Sequence, residues 1–199
     1  MSMAVLVGSR THRREISRLS LVLALGATIT AASMAAVPAS TPVLGASSAL
    51  ARVGGRPPPF TLPAATGGPS RGEFRMADHL GQHPVVILFW ATWCVPCQQE
   101  LPFYQSLYER YRERGLRVVG ISMDDARTVM RAGPAARRLG VTFDVVTDLD
   151  TRITTQINPR RSAPFSIWVD RDGRIVWERE GFAPAEQQAI SEGVARLVQ

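Results

Sequence analysis

The chain has 199 residues, 45 % of them hydrophobic and 20 % charged, with two cysteines, three histidines and a formal net charge of +6. That length buries a core without a disulfide lattice, so a disulfide-rich miniature scaffold is excluded, and so few histidines argue against a multi-histidine metal centre. All 23 basic residues are Arg, half of the excess positive charge lies in residues 1–39, where Arg10, Arg13, Arg14 and Arg18 face Glu15 alone, and no long basic stripe of the kind that marks a nucleic-acid surface follows.

In chain order, a basic leader comes first, followed by the uncharged run 19–37, LSLVLALGATITAASMAAV. This is the pattern of an export signal. Val37-Pro38-Ala39 offers a small-residue cleavage site, and Arg13-Arg14-Glu15-Ile16 partly matches a twin-arginine signal. The rival reading is an uncleaved single-span anchor, since such a run can cross about 30 Å of hydrocarbon. Both readings place the body of the protein outside the cytoplasm, periplasmic or otherwise extracytoplasmic; a third is a disordered Ala-rich tail. With no Cys in this region, a lipid-anchored start is not expected. Residues 1–39 are thus read as signal peptide or signal anchor. Residues 40–57, rich in Ser, Ala, Gly and Pro, are read as a flexible linker, and 58–199 as the folded domain.

Within the domain, Phe60–Leu62 and Phe74–Met76 read as short strands, followed by a helical turn around Asp78–Leu80. Val85–Trp90 (VVILFW) is an unbroken apolar run, expected to be a strand covered on both faces. A helix is predicted from about Cys94 to Arg114, with Leu101, Tyr104, Tyr108 and Tyr111 on one face and a kink at Pro102. Leu116–Ser122 is the next strand. A helix over 125–139 is expected to break at Gly133-Pro134. Phe143–Thr147 reads as a strand and Asp150–Ile157 as a helical turn. Phe165–Val169 and Ile175–Glu178 are strands joined by the turn Asp170-Arg171-Asp172-Gly173, and Pro184–Val198 is an amphipathic helix. The order predicts an α/β fold with one mixed sheet and helices on both faces.

The two cysteines stand three apart in Trp93-Cys94-Val95-Pro96-Cys97, after the apolar strand and at a helix start. That spacing puts both sulfurs on one side of a first turn, within disulfide reach. Unsatisfied amides there favour a Cys94 thiolate, and Cys97, one turn in and more buried, is placed to resolve a mixed disulfide. The pattern points to thiol–disulfide exchange. A structural zinc site would need two further ligands, a structural disulfide would close a very short loop, and copper binding lacks a clear third ligand, Met123 being a weak candidate. His79 and His83 are expected in a solvent-facing loop. Glu100, three residues after Cys97, reads equally well as a proton relay or as an ordinary solvated helix carboxylate.

At these residues the segment Phe89-Trp90-Ala91-Thr92-Trp93-Cys94-Val95-Pro96-Cys97-Gln98-Gln99-Glu100-Leu101-Pro102 resembles the active-site segment of the thioredoxin superfamily, in particular its exported or membrane-tethered TlpA/ResA-like disulfide reductases and their cytochrome c maturation relatives. The resemblance spans residues 58–199. It implies a thioredoxin-like fold whose cis-proline, before a strand, is Pro164 in Ala163-Pro164-Phe165-Ser166-Ile167-Trp168-Val169-Asp170. It implies a functional role for Glu100, a family insertion at 124–157, and a substrate groove of Trp93, Val95, Pro96, Ala163 and Phe165. Leu88 stands where cytoplasmic thioredoxin has a buried Asp, and Phe165 where relatives often have Thr. Arg160 and Arg161 either flank the groove, favouring an acidic partner, or belong to a solvated loop, the reading preferred here.

The resemblance further implies protein disulfide substrates, with apocytochrome c or a copper-site assembly protein as candidates, and a membrane electron donor for re-reduction. No cofactor, metal or nucleic acid is expected, and the chain is expected to be a monomer. The alternatives are a copper-handling or binding module of the same fold and a thiol oxidant. A peroxidase relative would need a peroxidatic cysteine in a different loop context, which neither CxxC position supplies.

Overall fold

The computed structural model describes residues 52–66 and 68–199. The expected leader and most of the expected linker lie outside the described residues. Seven strands and four helices follow in the order β1 (Thr61–Pro63), β2 (Glu73–Arg75), β3 (Val85–Trp90), α1 (Cys97–Tyr111), β4 (Arg117–Ser122), α2 (Ala132–Arg138), β5 (Asp144–Thr147), α3 (Arg152–Ile157), β6 (Phe165–Val169), β7 (Ile175–Glu180) and α4 (Gln187–Leu197), with short 3-10 turns between them. Five strands form a sheet ordered β5-β4-β3-β6-β7; β3, β4 and β5 are mutually parallel, β6 runs antiparallel to β3, and β7 antiparallel to β6. β1 and β2 form a separate antiparallel pair beside β5, bridged through Ala64 and Val146.

The central place of β3 follows from its composition: all six residues are buried, because helices cover both faces. Val86, Leu88 and Trp90 point into one core with Leu101, Tyr104 and Tyr108 of α1, Ala136 of α2 and Ile190 and Val194 of α4. Val85, Ile87 and Phe89 point into the other, with Leu62, Phe74, Ile153 and Ile157. Helices therefore lie on both faces, as the element order predicts. No helix among the described residues is long and apolar enough to cross a membrane.

Local differences from the sequence reading have identifiable causes. Residues at the end of the expected linker join the domain: Gly54 N–H donates to the Ile175 carbonyl at 2.7 Å, and Ile175 N–H to that of Gly55 at 2.8 Å. α1 starts at Cys97 instead of Cys94 and runs through Pro102, which removes a single amide donor. Gly133-Pro134 does not break α2. A Cβ at Gly133 would sit 2.2 Å from the Ala65 carbonyl oxygen, so glycine permits close packing there, and Pro134 falls in the first turn, where amides lack helical partners. β7 extends two residues beyond Glu178.

Candidate active site

The site lies at the end of the sheet where β3, β4 and β5 finish. Met123 N–H donates to the Trp90 carbonyl at 2.8 Å, which ties the exits of β3 and β4 together. Buried Asp124 then anchors the loop entering the cysteines. Its carboxylate accepts from Thr92 N–H at 3.0 Å, Thr92 Oγ1 at 2.5 Å and Ser122 Oγ at 2.8 Å.

Cys94 and Cys97 are joined in a disulfide, with Cα atoms 5.3 Å apart. Cys94 lies just outside the helix and Cys97 is its first residue, whose N–H donates to Cys94 Sγ at 3.2 Å. Cys94 Sγ thus accepts from the first amide of α1, at the helix terminus where the amide dipoles favour negative charge. Both cysteines are buried, whereas Trp93 and Val95 beside them are 62 % and 67 % exposed. The pair sits beneath an apolar, accessible rim to which Pro96 also contributes an exposed side chain.

Glu100 stands one turn into α1 on the Cys97 face. It is buried, which overturns the solvated-helix alternative, and its Oε2 has no hydrogen-bond partner. Burial pushes its carboxyl up to about 8, partly opposed by the positive charge of Arg179. One turn deeper, Tyr104 Oη accepts from Trp168 Nε1 at 3.2 Å, and burial raises its phenol, keeping it neutral. The sheet aligns the partners of this layer: Leu88 faces Ser166 and Ser166 faces Arg179 across β3, β6 and β7. Arg179 is tied to Glu186 and donates to the Gly181 carbonyl at 3.1 Å.

The Ala163–Pro164 peptide is cis. Phe89 pairs with Phe165 in antiparallel register, so Pro164 falls level with Trp90, at the same end of the sheet as the cysteines. Ala163 packs beside both cores. Phe165 turns away: its ring meets Phe89 at 5.9 Å on the sheet face opposite the disulfide.

Other candidates lie elsewhere. Met123 packs in the opposite core and its sulfur accepts from Asn158 Nδ2 at 3.6 Å, so it is not a third ligand for the cysteines. His79 stacks on Phe74, with ring centroids 4.8 Å apart, and neither His79 nor His83 is solvent-facing as expected: both are half-buried, and desolvation lowers both. Arg160 pairs with Glu180 at 3.4 Å, both exposed, which favours the solvated-loop reading. Asp124, Thr92, Ser166 and Arg179 are not singled out as site residues by the sequence, and Tyr104 is read there only as a core residue. The one hint was polar residues, such as Ser166 and Ser122, inside otherwise apolar strands.

This arrangement, a five-stranded mixed sheet, a CxxC disulfide where β3 passes into α1 and a cis-proline opening β6, defines a thioredoxin-like protein with a dithiol centre. A protein of Chlorobium tepidum with the provisional name thiol:disulfide interchange protein DsbE shares this fold with a TM-score of 0.66 and 25 % identity, over 75 % of this chain and 99 % of that one. A secreted Mycobacterium tuberculosis disulfide oxidoreductase shares it with a TM-score of 0.58 and 24 % identity, over 69 % of this chain and 96 % of that one. The chain belongs to the AhpC/TSA family, whose model matches residues 53–178. Among curated relatives, the thiol-disulfide oxidoreductase ResA of Bacillus cereus is 30 % identical over 105 residues, covering 52 % of this chain and 58 % of that protein. ResA of Geobacillus kaustophilus is 28 % identical over 123 residues, covering 62 % and 66 %. The chain thus spans about three fifths of the length of these relatives.

Proposed function

We propose that the chain is an extracytoplasmic thiol-disulfide oxidoreductase that reduces disulfides in proteins. The observation that carries this reading is Cys94 Sγ at the N-terminus of α1, accepting the Cys97 amide beneath the exposed rim of Trp93 and Val95. The names of the ResA and DsbE relatives support the same activity.

In the reduced protein, the Cys94 thiolate attacks one sulfur of a partner disulfide. A Cys94–partner bond forms, the partner bond breaks, and the released partner thiolate takes a proton. Cys97 then loses its proton and attacks Cys94. The Cys94–Cys97 disulfide forms and the second partner thiol leaves. Two electrons have moved to the partner, so a membrane electron donor must reduce the pair again. Glu100, buried on the Cys97 side of α1, is assigned the proton exchange with Cys97. Ala163 and Pro164 are assigned the wall that holds the partner backbone extended, with Trp93, Val95 and Pro96 as the facing rim; Phe165 contributes backbone there, not its ring.

Residues 1–39 are assigned to export, with 19–37 as signal or tether, 40–57 to a linker and 58–199 to the working domain, which acts as a monomer. An apocytochrome or a copper-site assembly protein is the proposed kind of partner. The direction of transfer is tested by the Cys94–Cys97 reduction potential. A value of about –270 mV is expected for a reductant, and one of about –120 mV would make the protein an oxidant.

A further inference from the structure

Two hollows open near the cysteine end of the sheet, and their charges differ. One, of about 300 Å³, lies on the Phe165 side, where Arg52 and Arg160 are matched by Glu178 and Glu180. The other, of about 340 Å³, is reached from the cysteine loop through Thr92 and Trp93, the two residues that precede Cys94. Thr92 and Trp93 form one wall; Thr128, Arg131, Ala135 and Arg138 form the other. The second wall has a simple origin: residues 128, 131, 135 and 138 recur at spacings of three and four, so they share one face of the 3-10 turn Val129–Arg131 and α2. No carboxylate lines this hollow.

Both arginines are exposed, and neither takes part in an ion pair among the described residues. The nearby acids are otherwise engaged. Asp124 lies buried beneath Thr92 with both oxygens accepting hydrogen bonds, and Asp125 is held by Arg127 at 3.1 Å. The anchoring of Thr92 to Asp124 fixes the arginine wall relative to the cysteine loop, because Asp124 opens the segment that leads into α2. Exposed Trp93, beside Cys94, supplies an apolar surface of the hollow.

We infer that this hollow is the docking surface for an acidic stretch of the disulfide partner, in which carboxylates flanking the partner cysteine meet Arg131 and Arg138 while its backbone lies across Trp93. The inference rests on the exchange reading above and deepens it. It places the acid-selective feature at Arg131 and Arg138 and not at Arg160 and Arg161, for which the sequence reading prefers a solvated loop. Complementary charge at such a surface acts chiefly on the encounter rate and on discrimination between partners.

The test uses the reduced protein and three short cystine peptides that differ only in the residues flanking each cysteine: glutamate, glutamine or lysine. A small uncharged disulfide serves as reference. At low ionic strength the second-order rate constant for the glutamate peptide is expected to exceed that for the lysine peptide by about tenfold. The preference shrinks as salt is added and is abolished or inverted in the R131E/R138E double variant. A salt series on the unaltered protein tests the electrostatic origin of the preference without a variant: a preference that does not change with salt would overturn the proposal. Equal rates for the three peptides, or a preference unchanged in R131E/R138E, would overturn the docking surface while leaving exchange intact. Failure to react with every disulfide, the uncharged one included, would overturn the exchange reading and this inference with it.

Discussion

Glu100 is where burial and chemistry pull in opposite directions. A carboxyl held near 8 by desolvation binds its proton more tightly in the folded chain than in the unfolded one. Between its unfolded value and about pH 8 the native state therefore carries the extra proton, and stability falls as pH rises through that window. The expected loss is about 3 kcal/mol from about pH 5 to about pH 8, relative to Glu100→Gln, which lacks the titration. Denaturant midpoints of the two oxidised proteins across that range check this; parallel pH profiles would contradict it. Arg179 supplies the opposing charge, so Arg179→Gln is expected to raise the Glu100 carboxyl further and shift the pH dependence of exchange to more alkaline values. An unmoved profile would remove Arg179 from this role. The spacing of Glu100 from Cys97 was readable in the sequence. Its burial was not, because Arg179, Ser166 and Trp168, which share its layer, come from strands more than sixty residues away.

Among the elements, those set by local pattern were the readable ones. β3 and β6 match the sequence reading at both ends, since continuous apolar runs bounded by loop residues leave little choice. The Asp170–Gly173 turn also follows its composition: Gly173 takes φ 77°, its N–H donates to the Asp170 carbonyl at 3.0 Å, and Arg174 N–H donates to Asp170 Oδ1 at 2.8 Å. Elements shaped by tertiary contact depart from the sequence pattern. β7 runs past its expected end at the sheet edge, where Arg179 and Glu180 interrupt the apolar pattern. Gly133 looked like a helix breaker because its partner, the Ala65 carbonyl, is distant in sequence. Gly193 makes the same point for α4: a Cβ there would lie 2.5 Å from the Trp168 ring, which is stacked on Trp177 at 4.0 Å. Gly193→Ala is expected to push α4 off β6 and to cost about 1–3 kcal/mol despite the better helix propensity of alanine. Thermal or denaturant unfolding measures this, and an unchanged or raised stability would refute the packing argument.

For the molecule as a whole, an opening charge of +6 divides between an expected export leader and a domain whose local charge matters more than its sum. Cysteine scarcity likewise acquires meaning only from placement, since both cysteines stand at one helix terminus, joined in a disulfide. Residues 1–39 fused to a reporter that is active only outside the cytoplasm are expected to give activity in a bacterial host, and a silent fusion would contradict the export assignment. The central claim is that Cys94 attacks and Cys97 resolves. It is tested most directly by mixing reduced Cys97→Ser and Cys94→Ser variants with a disulfide-bonded protein and examining the products by mass spectrometry. Cys97→Ser is expected to accumulate a mixed disulfide at Cys94 and Cys94→Ser to lose exchange. A Cys94→Ser variant that exchanges at the unaltered rate, or a Cys97→Ser variant that forms no adduct, would contradict it.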